Sequence, residues 1–423
     1  MLSRLSKREM FRSFRHHNYR RFYVGNLLSN TGTWIQRVAQ DWLVIDLTHS
    51  PTALGIVTSL QFGPAIFFSL HGGSLADRFD KRIWVLWTNA VAAACSLTIG
   101  VLIQTHAITI NWLYVLATVL GIASAVQAPI WQTFIHDLVG SEDLPNAIAL
   151  NSTNFNIGRL IGPALSGFLI AGFGTGPSFL VNAASYAASM YALASMRTRE
   201  LFVPQHKRDA TEQGVLAGLR YLATRRDIIV ILIIISAAGT FGLNYQMFMT
   251  LMSRNVFKIP ADSFGILGSC MAVGSVSGAL LIARRRSAPT ARLVQGLALG
   301  FGTVTGLAGL SPTYVAYAFA LPVCGFAALM MLSTANAFVQ GTCDPTFRGR
   351  VMGVYMLVFI GGTPIGSMTL GWMAEHIGVR IAIATFGAIV AAVAGASMVV
   401  PLARTMTATP ALESDTSVES SRG

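Results

Sequence analysis

In the run 37-RVAQDWLVIDL-47, an arginine and an aspartate stand four residues apart within a mostly apolar stretch. On a helix this spacing puts Arg37 and Asp41 on one face, a turn apart. The chemistry open to such a pair is reversible protonation. A carboxylate isolated from water costs several kcal/mol unless it holds a proton or meets a cation. Arg159 is the other charge expected at depth, so Asp41, Arg37 and Arg159 form the candidate proton-coupling group. In this reading Asp41 alternates between a proton and an arginine partner. A purely structural ion pair is the competing reading. Counted from Arg21 at 1.5 Å per residue, Asp41 lies about 30 Å along its helix, toward the outer end.

A second charged feature is 71-HGGSLADRFDKR-82, two acids and three bases between two long apolar runs. Gly73 and Asp77 are one helical turn apart, so the glycine permits close approach while the carboxylate points at a neighbour. A carboxylate facing a helix N-terminus gains about 0.3–1 kcal/mol. Arg78, Lys81 and Arg82 serve equally well as anchors on the positive side of a membrane. A third feature, 158-GRLIGPALSG-167, places Gly158, Gly162 and Gly167 around Pro163; small residues allow close helix packing, and the proline is expected to bend its helix.

Other chemistries find no support. The four lysines follow Ser6, Asp80, His206 and Phe257, so no Gly-Lys-Ser/Thr phosphate loop exists. ATP-driven work is disfavoured, which leaves an ion gradient, most simply protons. The eight histidines form no H-E-x-x-H, and no G-x-S-x-G occurs. No enzyme, cofactor or metal is expected. His71 reads as a structural residue at a helix end, and Met247, Met249 and Met252 as adaptable packing. Cys95, Cys270, Cys324 and Cys343 are read as free thiols.

The elements that must position these residues follow from composition. Charged residues make up only 11% of the 423, hydrophobic residues 53%, and the mean hydropathy is +0.57. The apolar residues come in blocks near the length of about 20 that a helix needs to cross a bilayer. Twelve spans are predicted, at 20–46, 52–74, 83–104, 110–134, 146–172, 177–196, 227–250, 262–283, 290–310, 313–340, 349–373 and 379–403. With both termini in the cytosol, 25 of the 30 Lys/Arg lie inside and three outside, the sense the positive-inside rule requires. The net charge of +12 is thereby assigned to membrane orientation, not nucleic acid. Seven Lys/Arg (Arg4, Lys7, Arg8, Arg12, Arg15, Arg20 and Arg21) lie before or at the start of the first span, a cytosolic lead-in lying against anionic lipid.

Glycines reveal a repeat. Gly158, Gly162, Gly167 and Gly174 recur 204 positions later as Gly362, Gly366, Gly371 and Gly378, and Gly121 as Gly325. Lys81-Arg82 likewise recurs as Arg285-Arg286. Six helices lie between equivalent positions, so the halves are parallel repeats about an axis along the membrane normal. The expected organisation is a basic N-terminal segment (1–19), a six-helix bundle (20–196), a cytosolic linker with an amphipathic helix (197–226), a second six-helix bundle (227–403) and a disordered tail (404–423). The fold class is an all-α membrane protein with two pseudo-symmetric six-helix bundles.

The stretch from Gly73 to Arg82 resembles the loop signature of the major facilitator superfamily, G-x-L-A-D-R-x-G-R-R, at the position that family uses, with Asp80 replacing the last glycine. The resemblance implies that Asp77 contacts the start of span eleven, near Arg348–Gly353, and closes the cytosolic side. The span-five pattern is similar to the G-x3-G-P-x3-G of the superfamily's antiporters. The runs 37–57 and 348–366 resemble the exporter branch that includes the enterobactin exporter and proton-driven multidrug and macrolide efflux proteins. What this implies is proton-coupled export of small amphipathic molecules by a monomer in the bacterial cytoplasmic membrane. In this fold spans one, four, seven and ten line the cavity. The implied substrate-binding residues are Asn30, Trp34, Gln61, Gln127, Trp131, Asn244, Tyr245 and Asn336, with Asn26 and Gln246 nearby. Helix–helix hydrogen bonding is the alternative role for each. Uptake by symport, and a sensor or scaffold without flux, remain as other functions.

Overall fold

The computed structural model describes residues 11–68, 80–202, 215–285, 287–344 and 346–400, and those residues contain helices and no strand. Gly73, Asp77 and Arg78 of the charged loop lie outside them, as do His71, residues 1–10 and the predicted tail. The first half contains α1 (His17–Thr48), α2 (Pro51–Phe62, helical again to Phe68), α3 (Lys81–Gln104), the long α4 (Ile110–Phe173) and α5 (Gly176–Ala194). Linker helix α6 (Val215–Thr224) leads to α7 (Arg226–Ala237) and α8 (Tyr245–Leu251), which make one interrupted rod. Then follow α9 (Ala261–Arg284), α10 (Ala291–Gly309), α11 (Tyr314–Thr342), α12 (Arg348–Gly361), α13 (Thr363–His376) and α14 (Val379–Ser397).

Eight described helical stretches are long and apolar enough to cross a membrane. One of them, α4, carries two spans. The loop expected between spans four and five does not form. Helix runs up to Val139, breaks at Gly140 with φ +69°, and resumes at once. A left-handed φ costs glycine nothing, so a single residue makes the turn. α1, α5 and α10 fall outside the eight because charge, amides, serines and glycines dilute their hydropathy. Two further interruptions were not foreseen. The seventh rod loosens into π turns at Ala238–Gly242 and Met252–Phe257, and the eleventh breaks at Gly362 before Pro364. Pro163, expected to bend its span, sits in unbroken helix.

The repeated glycines occupy matching places in the two halves. Gly162 abuts Trp34 and Ile35 of α1, and Gly366 abuts Thr240 of the seventh rod, the equivalent of α1. Gly121 meets the backbone of α2, and Gly325 meets the backbone of α9. Gly174 and Gly378 both take positive φ at helix ends. The halves meet along two crossings: α2 lies on α13, and the second arm of α4 lies on α9. In the second crossing Pro163 faces Gly268, where a Cβ would come within 2.8 Å.

Candidate functional site

The end of the bundle that holds residues 12–16, 197–202 and 215–226 is here called the terminal end, and the opposite one the far end. Among the described residues, side-chain bonds between the halves run from the far end to the middle. Arg254 of the seventh rod pairs with Asp46 of α1, and its guanidinium lies 4.7 Å from the Trp42 ring. Trp42 packs edge-on against Phe264 of α9. The Glu375 carboxylate at the end of α13 accepts from the Ser50 hydroxyl at 2.6 Å and from the Thr52 N–H at 3.0 Å. Ser50 is also the N-cap of α2, accepting from Ala53 N–H, so Glu375 sits at that helix's positive end. Toward the middle, Ser59 donates to the Pro364 carbonyl at 2.6 Å and lies 3.0 Å from the Ser367 hydroxyl.

Asp41 lies just inside this closure. Its side chain is buried (7% exposed) and has Gln246 and Thr250 of the opposite half and Arg37 of its own helix as electrostatic neighbours. Arg37 and Asp41 share a face, as the spacing required, but form no contact ion pair. The Arg37 guanidinium stands instead 5.0 Å from the Trp34 ring and 5.3 Å from Phe62, and its Nε has no hydrogen-bond partner. Cation–π contacts of this kind are worth about 0.5–2 kcal/mol, too little to fix the arginine permanently. Arg159 turns elsewhere and donates to the Ser275 hydroxyl of α9 at 3.0 Å, bridging the halves at mid-height. Asp41 is thus placed beside Arg37 but not beside Arg159 in this conformation.

The predicted substrate residues divide into two groups. Trp34 lies against Arg37, and Gln61 accepts from Gln40, the neighbour of Asp41, at 3.5 Å. Asn30, a turn below Trp34, donates to the Asn154 carbonyl at 2.9 Å, while Asn26 donates to Asn151 at 2.7 Å. The rest are turned into their own halves. Gln127 donates to Asn89 at 2.9 Å, and the Trp131 ring lies tilted against Phe22 with centroids 4.6 Å apart. Asn244 caps the Thr240 carbonyl, and the Tyr245 hydroxyl meets Thr305 at 2.6 Å in the second half's core. Asn336 accepts from Gln340 on its own helix. Helix periodicity accounts for the split: Tyr245 and Gln246 are adjacent, hence about 100° apart, so only one faces the interface. Gln40, Phe62 and Thr250 were not anticipated. Gln40 had a signal in its position beside Asp41, whereas Phe62 and Thr250 look like ordinary span residues.

Gly158 and Gly162 of the span-five pattern are buried against Asn30 and Trp34, so this pattern sets how close α1 comes to the site. Gly167 is buried farther along the same helix. Of the charged loop, Lys81 bonds Asp137 at 2.7 Å and Arg82 donates to the Leu193 and Ala194 carbonyls at 2.7 and 2.8 Å. Both therefore tie α3 to its own half. Two described arginines of the basic lead-in are likewise engaged with protein: Arg12 and Arg15 pair with Glu142 and with Asp143, whose side chain is fully buried.

Comparison with known proteins agrees with this architecture. The profile of a family described as transmembrane secretion effector matches residues 9–420. A staphyloferrin A transporter of Staphylococcus aureus is 24% identical over 370 residues, covering 85% of this chain and 90% of that protein. An enterobactin exporter of Shigella boydii is 23% identical over 359 residues, covering 84% and 85%. Among solved structures, a bacterial homologue of the human lysosomal transporter Spinster superposes with a TM-score of 0.72 at 15% identity, covering 90% of this chain and 96% of that one. A D-xylose–proton symporter gives 0.68 at 14% identity, with 90% and 96% covered.

Proposed function

The chain belongs to the transmembrane secretion effector family of major facilitator transporters, and from that premise we propose that it exports a small amphipathic organic molecule in exchange for protons. A siderophore is the substrate class that the staphyloferrin A and enterobactin relatives favour; a drug or a secreted metabolite fits the same aromatic and amide surface. The observation that carries the reading is a buried carboxylate at the meeting of the halves, next to an arginine whose guanidinium lies over aromatic rings and forms no contact ion pair with it. Such a carboxylate has two stable states, protonated or facing the arginine, and the arrangement of the halves selects between them.

In this account the terminal end is cytosolic and the membrane is the bacterial cytoplasmic one. With the far end open, Asp41 takes a proton from outside as substrate leaves. With the far end closed, the proton departs to the cytosol, Arg37 compensates the charge, and a new substrate enters. Asp77 facing the start of α12 latches the cytosolic side in the first state, and Glu375 at the start of α2 latches the far side in the second. The test is flux in liposomes containing the purified protein. A siderophore panel is expected to move against its gradient when protons flow the opposite way. Substrate moving together with protons would establish symport, and binding without flux would establish a sensor.

The Glu375 latch gives a separate expectation. A charge-assisted contact at a helix N-terminus is worth about 1 kcal/mol, or about fivefold in population. Glu375→Gln should therefore shift the protein about fivefold toward the far-open form. Spin labels at the exposed positions His49 and His376 would report it as a longer distance population. An unchanged distribution would remove Glu375 from the latch.

A further inference from the structure

A cavity of about 520 Å³ opens at the terminal end of the first half, well away from Asp41. Its wall is made by the start of α1 (Arg15, His16, His17, Asn18), by Leu138 at the break in α4, and by 197–202 after α5. Three features of that wall attract an anion. First, the side chain of His16, the N-cap of α1, bonds Asp143 and not its own helix, and the first helical bond runs from Arg20 N–H to the His16 carbonyl. The first-turn N–H groups are therefore unpaired within the helix, at its positive end. Second, the His17 Nε2 is buried without a hydrogen-bond partner. Third, Arg15, Arg197 and Arg199 line the space, against one carboxylate, Glu200. The Arg197 hydrogen bond at 2.9 Å holds Glu200 below the ordinary glutamate range, so it is charged at neutral pH and uses up one of the three cations. Arg15 is committed to Glu142 and Asp143, which leaves Arg199 exposed and uncompensated among the described residues.

The remaining wall is apolar: Leu138, Leu201 and Phe202. Phe202 is fixed there, its N–H donating to the Asp137 carbonyl at 2.8 Å and its ring edge-on to His16. A site that is cationic on one side and apolar on the other, at the start of α1 and the end of α5, which on the proposed function cross the bilayer, matches a phosphate carried on a glycerol backbone. We propose that this cavity binds a phosphate group, supplied by the headgroup of an anionic phospholipid. The apolar wall and the position at the membrane boundary favour the lipid over free phosphate, which shares the charged contacts but not the rest.

The experiment is native mass spectrometry of the full chain in detergent, titrated with phosphatidylglycerol or phosphatidylcholine. Wild type should retain phosphatidylglycerol in preference to phosphatidylcholine. Arg199→Gln should lower that retention about fivefold, the worth of one arginine near an anionic headgroup. Glu200→Gln should raise it, because it frees Arg197. Arg284→Gln, which removes an exposed arginine from the other half, should leave it unchanged. Both pocket residues are exposed, so neither change threatens the fold. Displacement of the lipid by excess inorganic phosphate would identify free phosphate as the occupant; no displacement identifies the lipid. The proposal is overturned if the two pocket variants do not move in opposite directions, or if Arg284→Gln weakens retention as much as Arg199→Gln.

Discussion

Asp41→Asn is expected to leave a folded transporter that no longer converts a pH gradient into a substrate gradient. One pH unit is worth 1.36 kcal/mol per proton, enough for about tenfold accumulation by a one-proton exchanger. Without a titratable group at the meeting of the halves, the accumulation ratio should fall from about ten to one. Exchange of substrate for substrate, which needs no proton, should persist. Asparagine preserves the shape beside Gln246 and Thr250, so the loss would report the proton and not the packing. The readout is accumulation in liposomes under an imposed pH gradient, beside counterflow without one. Wild-type accumulation by Asp41→Asn would sink the coupling assignment and leave the residue a structural part of the far-end closure, together with Asp46 and Arg254.

Gly366→Ala should have the largest effect on stability. A Cβ at Gly366 would stand 1.7 Å from the Thr240 carbonyl oxygen, a backbone atom that cannot move without displacing the seventh rod. Overpacking typically costs 1–3 kcal/mol, and contact with backbone places this case at about 3 kcal/mol. Gly162→Ala, its repeat partner, meets the Trp34 Cβ at 2.4 Å and should be destabilising by about 2 kcal/mol. Gly353→Ala is the control, because a Cβ there meets no described atom within 4 Å. It should be neutral or stabilising by up to about 1 kcal/mol, as alanine is the better helix former. Thermal unfolding of the purified variants ranks the three. Equal melting temperatures for Gly366→Ala and wild type would contradict the close crossing described here.

Each of these positions shows a different degree of legibility. Gly162 and Gly366 could be paired from spacing alone, since an internal repeat is a property of the linear string, and both prove to lie where equivalent helices cross. Asp41 was conspicuous because a carboxylate in an apolar run is costly wherever the run ends up. Its arginine was harder to assign: Arg37 and Arg159 were equal candidates, and only the rotation of the second arm of α4 sends Arg159 to Ser275. Tyr245 and Asn244 looked as suitable for a cavity as Gln246, yet they are committed to Thr305 and Thr240. Gly140 was one glycine among 40 until its positive φ replaced an entire expected loop.

The sequence by itself determined the solvent of the fold, the helical content and the two-fold repeat, because hydropathy, charge bias and spacing accumulate along the chain over many residues. It also marked Asp41, a buried acid with no contact ion pair. The tertiary structure decided which side of each helix faces a neighbour, which arginine accompanies Asp41, and at which end the halves touch. Those outcomes turn on rotations of about 100° per residue and approaches of a few ångströms between segments far apart in the chain. Local composition carries no record of such rotations, and only the packed bundle fixes them.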